Sequence, residues 1–304
     1  MTLITGASSQ AGGASSQLLN LPNGDAPLPN GRLLRIAFSP CPNDTFVFHA
    51  WVHGLLPDAP PVAVTFADVD VTNTAAERGE FDVVKVSYAA LPWLLDRYAL
   101  LPTGGALGRG CGPLVLTAGR RDLRGAVVGV PGERTTAYLL FRMWARGRGV
   151  ADIRVLPYAE IMPAVRDGRI DAGLVIHEAR FTYPAYGLEC LADLGEWWES
   201  TTGLPIPLGA IVARRELDVA RITDVVRASV RYARAHPSAS ADFVAQHAQE
   251  MDPAVQARHI ALYVNDFTVE LGEGGYAAVR GLLARAADAG LVPAVPDQLL
   301  MPVI

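Results

Sequence analysis

From residue 33 onward, short apolar runs alternate with stretches of helical period. The runs, rich in Val, Ile and Leu, cover residues 33–38, 62–66, 83–86, 127–130, 153–156 and 173–176. Between them, 44–54, 72–78, 135–146 and 160–166 repeat apolar residues three and four apart. That spacing gathers side chains on one helix face, whereas short unbroken apolar runs suit strands buried on both sides. The alternation predicts an α/β fold of largely parallel sheets covered by helices. After a last strand at 208–214 the pattern becomes helical only: "DVARITDVVRASVRYARAH", "SADFVAQHAQEM", "PAVQARHIALYVNDF" and "EGGYAAVRGLLARAADAG". Pro237 and Pro253 punctuate these stretches where proline is tolerated, at or before a first turn.

The pattern also repeats. "FSPCPNDTFVF" and "GVPGERTTAYLL" share the order strand, Pro, polar loop, Thr, helix, with Pro40 matching Pro131 and Thr45 matching Thr136, both offset by 91 residues. Downstream, "RGEFDVVKVSY" and "DGRIDAGLVIH" share a Gly, two residues, an Asp and an apolar strand, with Gly79 matching Gly168 at an offset of 89. Two echoes in the same order at nearly one offset predict two similar α/β lobes. The expected division is a disordered tail at 1–31, a first lobe at 32–118 completed by 213–304, and a second lobe at 119–212. Two lobes imply a cleft, and ligands of open α/β sheets sit beyond the carboxyl ends of the strands.

Composition narrows the class. The chain has 304 residues, half of them hydrophobic and 19% charged, which suits a globular protein. Its net charge of -5 and pI near 5.7, with no basic run, argue against nucleic acid or a membrane as partner. A small molecule fits better, bound by a monomer or a homodimer. Cys41, Cys111 and Cys190 lie far apart in no metal-ligand spacing, so a reducing cytoplasm is expected. The first thirty residues, rich in Gly, Ala, Ser, Asn and Pro, carry neither an export signal nor a span, and too little apolar surface to fold.

Candidate chemistry falls on the strand ends. His177 closes the apolar strand "AGLVIH", where a partly desolvated imidazole can act as a base, although a lone strand-end His also serves as a hydrogen-bonded structural residue. Lys85 and Ser87 lie two apart on "VVKVS" and so face one side. An edge lysine that blocks strand pairing would look the same. Thr135, Thr136, Ala137 and Tyr138 open a helix whose unpaired N–H groups suit a carboxylate, or simply carry a Thr cap. Ser39 and Asn43 in the first turn are expected to meet neutral polar parts of a ligand, and Asp44 to cap the first helix. Asn73 reads as a helix-start residue or a ligand contact. Trp197 and Trp198 read as packing. His49 and His53 have the i, i+4 spacing of metal ligands but lack a third, and no metal motif, P-loop or dinucleotide fingerprint appears.

The blocks "SPCPNDTFVFHAWVHG", "KVSYAALPWLL", "GGALGRGCGPLVL", "VPGERTTAYLL", "GLVIHEARFTYPAYGL", "DLGEWWESTTGLPIPLGAIVARR" and "YVNDFT" closely resemble the 1,4-dihydroxy-6-naphthoate synthase family of the futalosine route to menaquinone. The resemblance runs from Leu33 to about Ala289. It implies a two-lobed, type II periplasmic-binding-protein-like fold with a helical C-terminal segment. The implied reaction is the conversion of cyclic dehypoxanthine futalosine into 1,4-dihydroxy-6-naphthoate by carbon–carbon cleavage, without a cofactor or metal. Carried over by motif, the histidine of "IHE" makes His177 the proton acceptor. "VKVS" makes Val84, Lys85, Val86 and Ser87 substrate contacts, joined by Thr136, Ala137 and Tyr138 of "TTAY". Two alternatives share this fold: chorismate dehydratase of the same pathway, and a non-catalytic carboxylate-binding protein, which would normally carry an export signal.

Overall fold

The structure, a computed structural model, is described over residues 33–249 and 252–301. The tail expected to be disordered lies outside the described residues. The chain enters through β1 (Leu34–Phe38), crosses by α1 (Pro42–Val52) to β2 (Val62–Phe66), and by α2 (Val69–Arg78) to β3 (Val83–Ser87). β1 pairs in parallel with both β2 and β3. After a 3-10 turn at Tyr88–Trp93 come β4 (Tyr98–Leu100), β5 (Ala106–Gly108) and β6 (Leu114–Thr117). The parallel crossover then recurs: β7 (Val127–Val130), α3 (Thr136–Trp144), β8 (Asp152–Val155), α4 (Tyr158–Arg166), β9 (Ala172–Val175). Next are α5 (Ala179–Thr182), β10 (Glu189–Asp193), α6 (Leu194–Thr202) and β11 (Ile206–Arg214). The rest is helical, as the pattern predicted: α7 (Val219–Ala235), α8 (Ala241–His247), α9 (Pro253–Tyr263), α10 (Asp266–Val269), α11 (Gly272–Asp288) and α12 (Asp297–Leu300).

The two sheets have one topology. The first runs β2-β1-β3-β11-β4, with β5 also on β11, and the second runs β8-β7-β9-β6-β10. In each, the fourth strand is antiparallel and is supplied by chain that has just left the other sheet. The chain therefore changes sheets before β6 and again before β11, earlier than the sequence reading put either boundary. Backbone pairing decides this, and four- to nine-residue apolar strands carry no label of the sheet they will join.

The echo has a physical basis. Gly79 and Gly168 both adopt the left-handed backbone, φ 69° and 70°, that closes a helix. Three residues on, each Asp clamps the neighbouring strand: Arg35 N–H donates to Asp82 Oδ2 and Val127 N–H to Asp171 Oδ2, both at 2.8 Å. An arginine follows the fourth strand's path to each carboxylate, Arg214 to Asp82 at 3.6 Å and Arg120 to Asp171 at 3.0 Å.

α1 and α2 start earlier than predicted. α1 begins at Pro42 rather than Asp44, with Cys41 as its N-cap, because proline at the first helical position loses no hydrogen bond. Every residue of α1 is buried, since it lies between the first sheet and α7, α8 and α9. Phe38 stacks on Phe48 there with ring centroids 4.2 Å apart. α2 begins at Val69, so Asn73 is interior to the helix and not at its start. Trp198 is buried and donates from Nε1 to Pro205 O at 3.0 Å, the packing role expected of it.

Candidate active site

A cleft of about 620 Å³ opens between the sheets, bounded by the turn after β1, the end of β3, the start of α3, the end of β9 and α9. Ser39, Asn43, Lys85, Val86, Ser87, Thr136, Ala137 and His177 all line it. Val84, Asn73 and Tyr138 do not.

β3 lies between β1 and β11, so Lys85 is on a central strand and the edge-lysine reading fails. Its side chain is 6% exposed and its ammonium lies 2.9 Å from Asp44 Oδ1. It also donates to Gly104 O at 2.9 Å. Asp44 is thus the counter-ion of Lys85 and not a simple helix cap. Ser39 Oγ donates to Asp44 Oδ2 at 2.8 Å and Asn43 Nδ2 to Oδ1 at 2.9 Å, so both residues spend their first polar contacts on this carboxylate. Gly209 of β11 leaves room for the lysine stem, since a Cβ there would stand 3.0 Å from Lys85 Cε.

The strand alternation sends Lys85 and Ser87 to the cleft and Val84 to the core, where it is fully buried. Asn73 sits behind Ser87. Its Oδ1 accepts from Ser87 N–H at 2.8 Å and its Nδ2 donates to Ser87 Oγ at 3.1 Å, so it orients a cleft residue without reaching the cleft. Thr135 is the N-cap of α3, accepting from Tyr138 N–H at 3.1 Å. That bond occupies the Tyr138 amide, and the tyrosine ring turns outward toward Arg142. Thr136 Oγ1 donates to Leu208 O at 2.8 Å and accepts from Ala89 N–H at 3.2 Å. Its hydroxyl therefore joins the two lobes, while Thr136 and Ala137 line the cleft at the first turn of α3, whose N–H groups have no partner within the helix.

His177 has φ 54°, in the left-handed region that non-glycine residues occupy at a cost of order 1–3 kcal/mol. Tyr158 braces this turn from both sides, its hydroxyl donating to Ile176 O at 2.6 Å and accepting from Ala179 N–H at 3.3 Å. The Tyr158 ring stands edge-on to the imidazole at 5.7 Å. His177 Nδ1 meets Cys41 Sγ at 3.0 Å. Burial, reinforced by the neighbouring Glu178 carboxylate, pushes the Cys41 thiol well above its ordinary value.

The residue that the sequence reading missed is His259. It lines the cleft from α9, is 1% exposed, and neither ring nitrogen has a hydrogen-bond partner. Its ring lies 6.1 Å from that of His177 and 4.5 Å from that of Tyr263. Burial, and then the charge of His177, hold its pKa well below the usual histidine value, so it is neutral. A neutral imidazole offers one donor and one acceptor, and neither has a protein partner among the described residues.

Residues 34–288 match the family described as "Menaquinone biosynthesis". A 1,4-dihydroxy-6-naphthoate synthase of Streptomyces coelicolor is 66% identical over 88% of this chain and 98% of its own length. One from Thermus thermophilus is 47% identical over 88% of this chain and 99% of its own. Among solved structures, protein AF1704 of Archaeoglobus fulgidus superposes with a TM-score of 0.80 at 32% identity, covering 85% of this chain and 98% of that one. The alkanesulfonate-binding protein SsuA of Xanthomonas axonopodis does so at 0.65 and 16% identity, covering 86% and 94%. That last likeness establishes the two-lobed periplasmic-binding-protein-like fold.

Proposed function

The chain belongs to the menaquinone-biosynthesis family, and on that premise we propose that it converts cyclic dehypoxanthine futalosine into 1,4-dihydroxy-6-naphthoate. The observation that carries this reading is one cleft holding, together, a helix start, an apolar slot and a histidine pair. The substrate brings an aryl carboxylate, a fused carbocycle and a sugar-derived ring. The carboxylate takes the N–H groups of Thr136 and Ala137, where the helix dipole favours an anion. Lys85 is already matched by Asp44 and sets the polarity of the wall without a net charge. His177, with Nδ1 turned to Cys41, accepts a proton at Nε2 from the sugar-derived end. Loss of that proton opens the carbon–carbon cleavage, which aromatisation of the carbocycle drives. The N–H of neutral His259 stabilises the oxyanion that develops beside it.

Three free thiols, Cys41, Cys111 and Cys190, support a reducing, cytoplasmic setting, with the chain acting as a monomer or homodimer. Incubation of purified protein with cyclic dehypoxanthine futalosine alone should yield the naphthoate, seen by mass and fluorescence. Chorismate should be left unchanged. His177→Asn should keep the fold and lower turnover about a hundredfold or more. Near-normal turnover in that variant removes His177 from the mechanism, and consumption of chorismate assigns the chain to the sister reaction.

A further inference from the structure

Beside the cleft, Cys41 Sγ, an imidazole nitrogen of His177 and a carboxylate oxygen of Glu178 all lie within 4.8 Å of one another. Cys41 comes from the turn after β1 and the other two from the end of β9, so the cluster spans the two lobes. Glu178 is 7% exposed, and its Oε2 is buried with no hydrogen-bond partner. A buried carboxylate oxygen left unpaired is destabilising unless something occupies it. We propose that these three side chains bind one soft divalent cation, Zn2+ fitting best, and that its binding clamps the lobes and switches turnover off.

The donor set selects the metal. Magnesium and calcium require shells of oxygen, whereas one sulfur, one imidazole and one carboxylate suit zinc, with a water as fourth ligand. Zinc–ligand lengths place sulfur and nitrogen about 3.5 Å apart around a tetrahedral ion. The observed Sγ to Nδ1 separation is 3.0 Å, so the lobes need open by only a fraction of an ångström. Charge balances as well. On binding, the Cys41 thiol releases its proton to solvent, and the thiolate and the Glu178 carboxylate together neutralise the dication, which a buried site demands. The third ligand explains the switch. Neutral His177 carries one ring proton, and giving the Nδ1 lone pair to the metal confines that proton to Nε2. The nitrogen facing the substrate then donates and no longer accepts. This inhibitory half rests on the proposed role of His177, and the binding half does not.

Co2+ is the probe, because thiolate ligation gives it a near-ultraviolet charge-transfer absorption independent of activity. The full chain should take up one Co2+ with that absorption, and Zn2+ should displace it. Cys41→Ser should abolish the absorption, and Glu178→Gln should weaken Co2+ binding at least about tenfold. Cys190→Ser, at an exposed thiol that is not one of the three ligands, should leave it intact. Circular dichroism checks that each variant is folded. Turnover should fall in proportion to Zn2+ occupancy and return on adding a chelator. No absorption in the wild-type chain, or absorption that survives Cys41→Ser, overturns the site. Full occupancy with undiminished turnover overturns the switch, while His177→Asn kinetics judge the base assignment separately.

Discussion

Asp44→Asn is the substitution whose effect the structure fixes most tightly. The Asp44 carboxylate accepts from Lys85 Nζ at 2.9 Å, Ser39 Oγ at 2.8 Å and Asn43 Nδ2 at 2.9 Å. An amide keeps one acceptor oxygen and turns an NH2 toward at least one of those donors. Lys85, 6% exposed, would then hold its charge against neutral oxygens only, the amide's and that of Gly104. Breaking one half of a buried pair costs about 3–5 kcal/mol. The expected loss of about 3–5 kcal/mol is several times what a surface cap contributes. Urea unfolding followed by circular dichroism reads it directly. Asp44→Leu combined with Lys85→Met should recover most of the loss, since an apolar pair of similar volume avoids both desolvation costs. A loss below about 1 kcal/mol in the single variant, or a double variant no more stable than it, would refute the reasoning.

Thr136→Val leaves the Leu208 carbonyl and the Ala89 N–H without a partner, so it should cost about 1–3 kcal/mol in urea unfolding while Thr136→Ser restores it. A shift in KM with unchanged stability would return the hydroxyl to the substrate. His259→Phe should lower kcat about a hundredfold yet raise stability slightly, because it removes two unpartnered buried nitrogens; wild-type kcat would exclude His259 from the chemistry. Burial, then the charge of His53, lowers the His49 pKa to about 4. Between the ordinary value near 6.5 and about 4 the unfolded chain binds a proton that the folded chain refuses, so stability is full above pH 6.5 and falls as the pH drops to 4. That loss should be on the order of 2–3 kcal/mol, and His49→Phe should flatten it in denaturation midpoints measured across the range.

What was legible in the sequence was local, and what was not depended on how the chain crosses between sheets. The Gly-x-x-Asp echo was visible because its parts lie within four residues, and its meaning emerged as the Asp82 and Asp171 clamps. His177 was visible as the polar end of an apolar strand, but its left-handed backbone was not, because nothing in "VIHE" requires it. β4 and β5, three residues each, are too short to display a period. Asp44 was misread because its partner lies on β3, and only the parallel pairing of β1 with β3 brings a turn and a strand 41 residues apart into contact. Asn73 was misread for a nearer reason: "VDVTN" hides the helix start, so the residue seemed terminal when it was interior. His259 did leave a trace. Val255, His259 and Tyr263 recur every four residues and are all buried on α9, and a histidine in the middle of an apolar stripe needs either a partner or a ligand. Without the structure the partner was the simpler assumption. With both nitrogens bare and the cleft in front of them, the proposed function supplies a ligand as that partner, and α9 then belongs to the proposed site and not merely to its support.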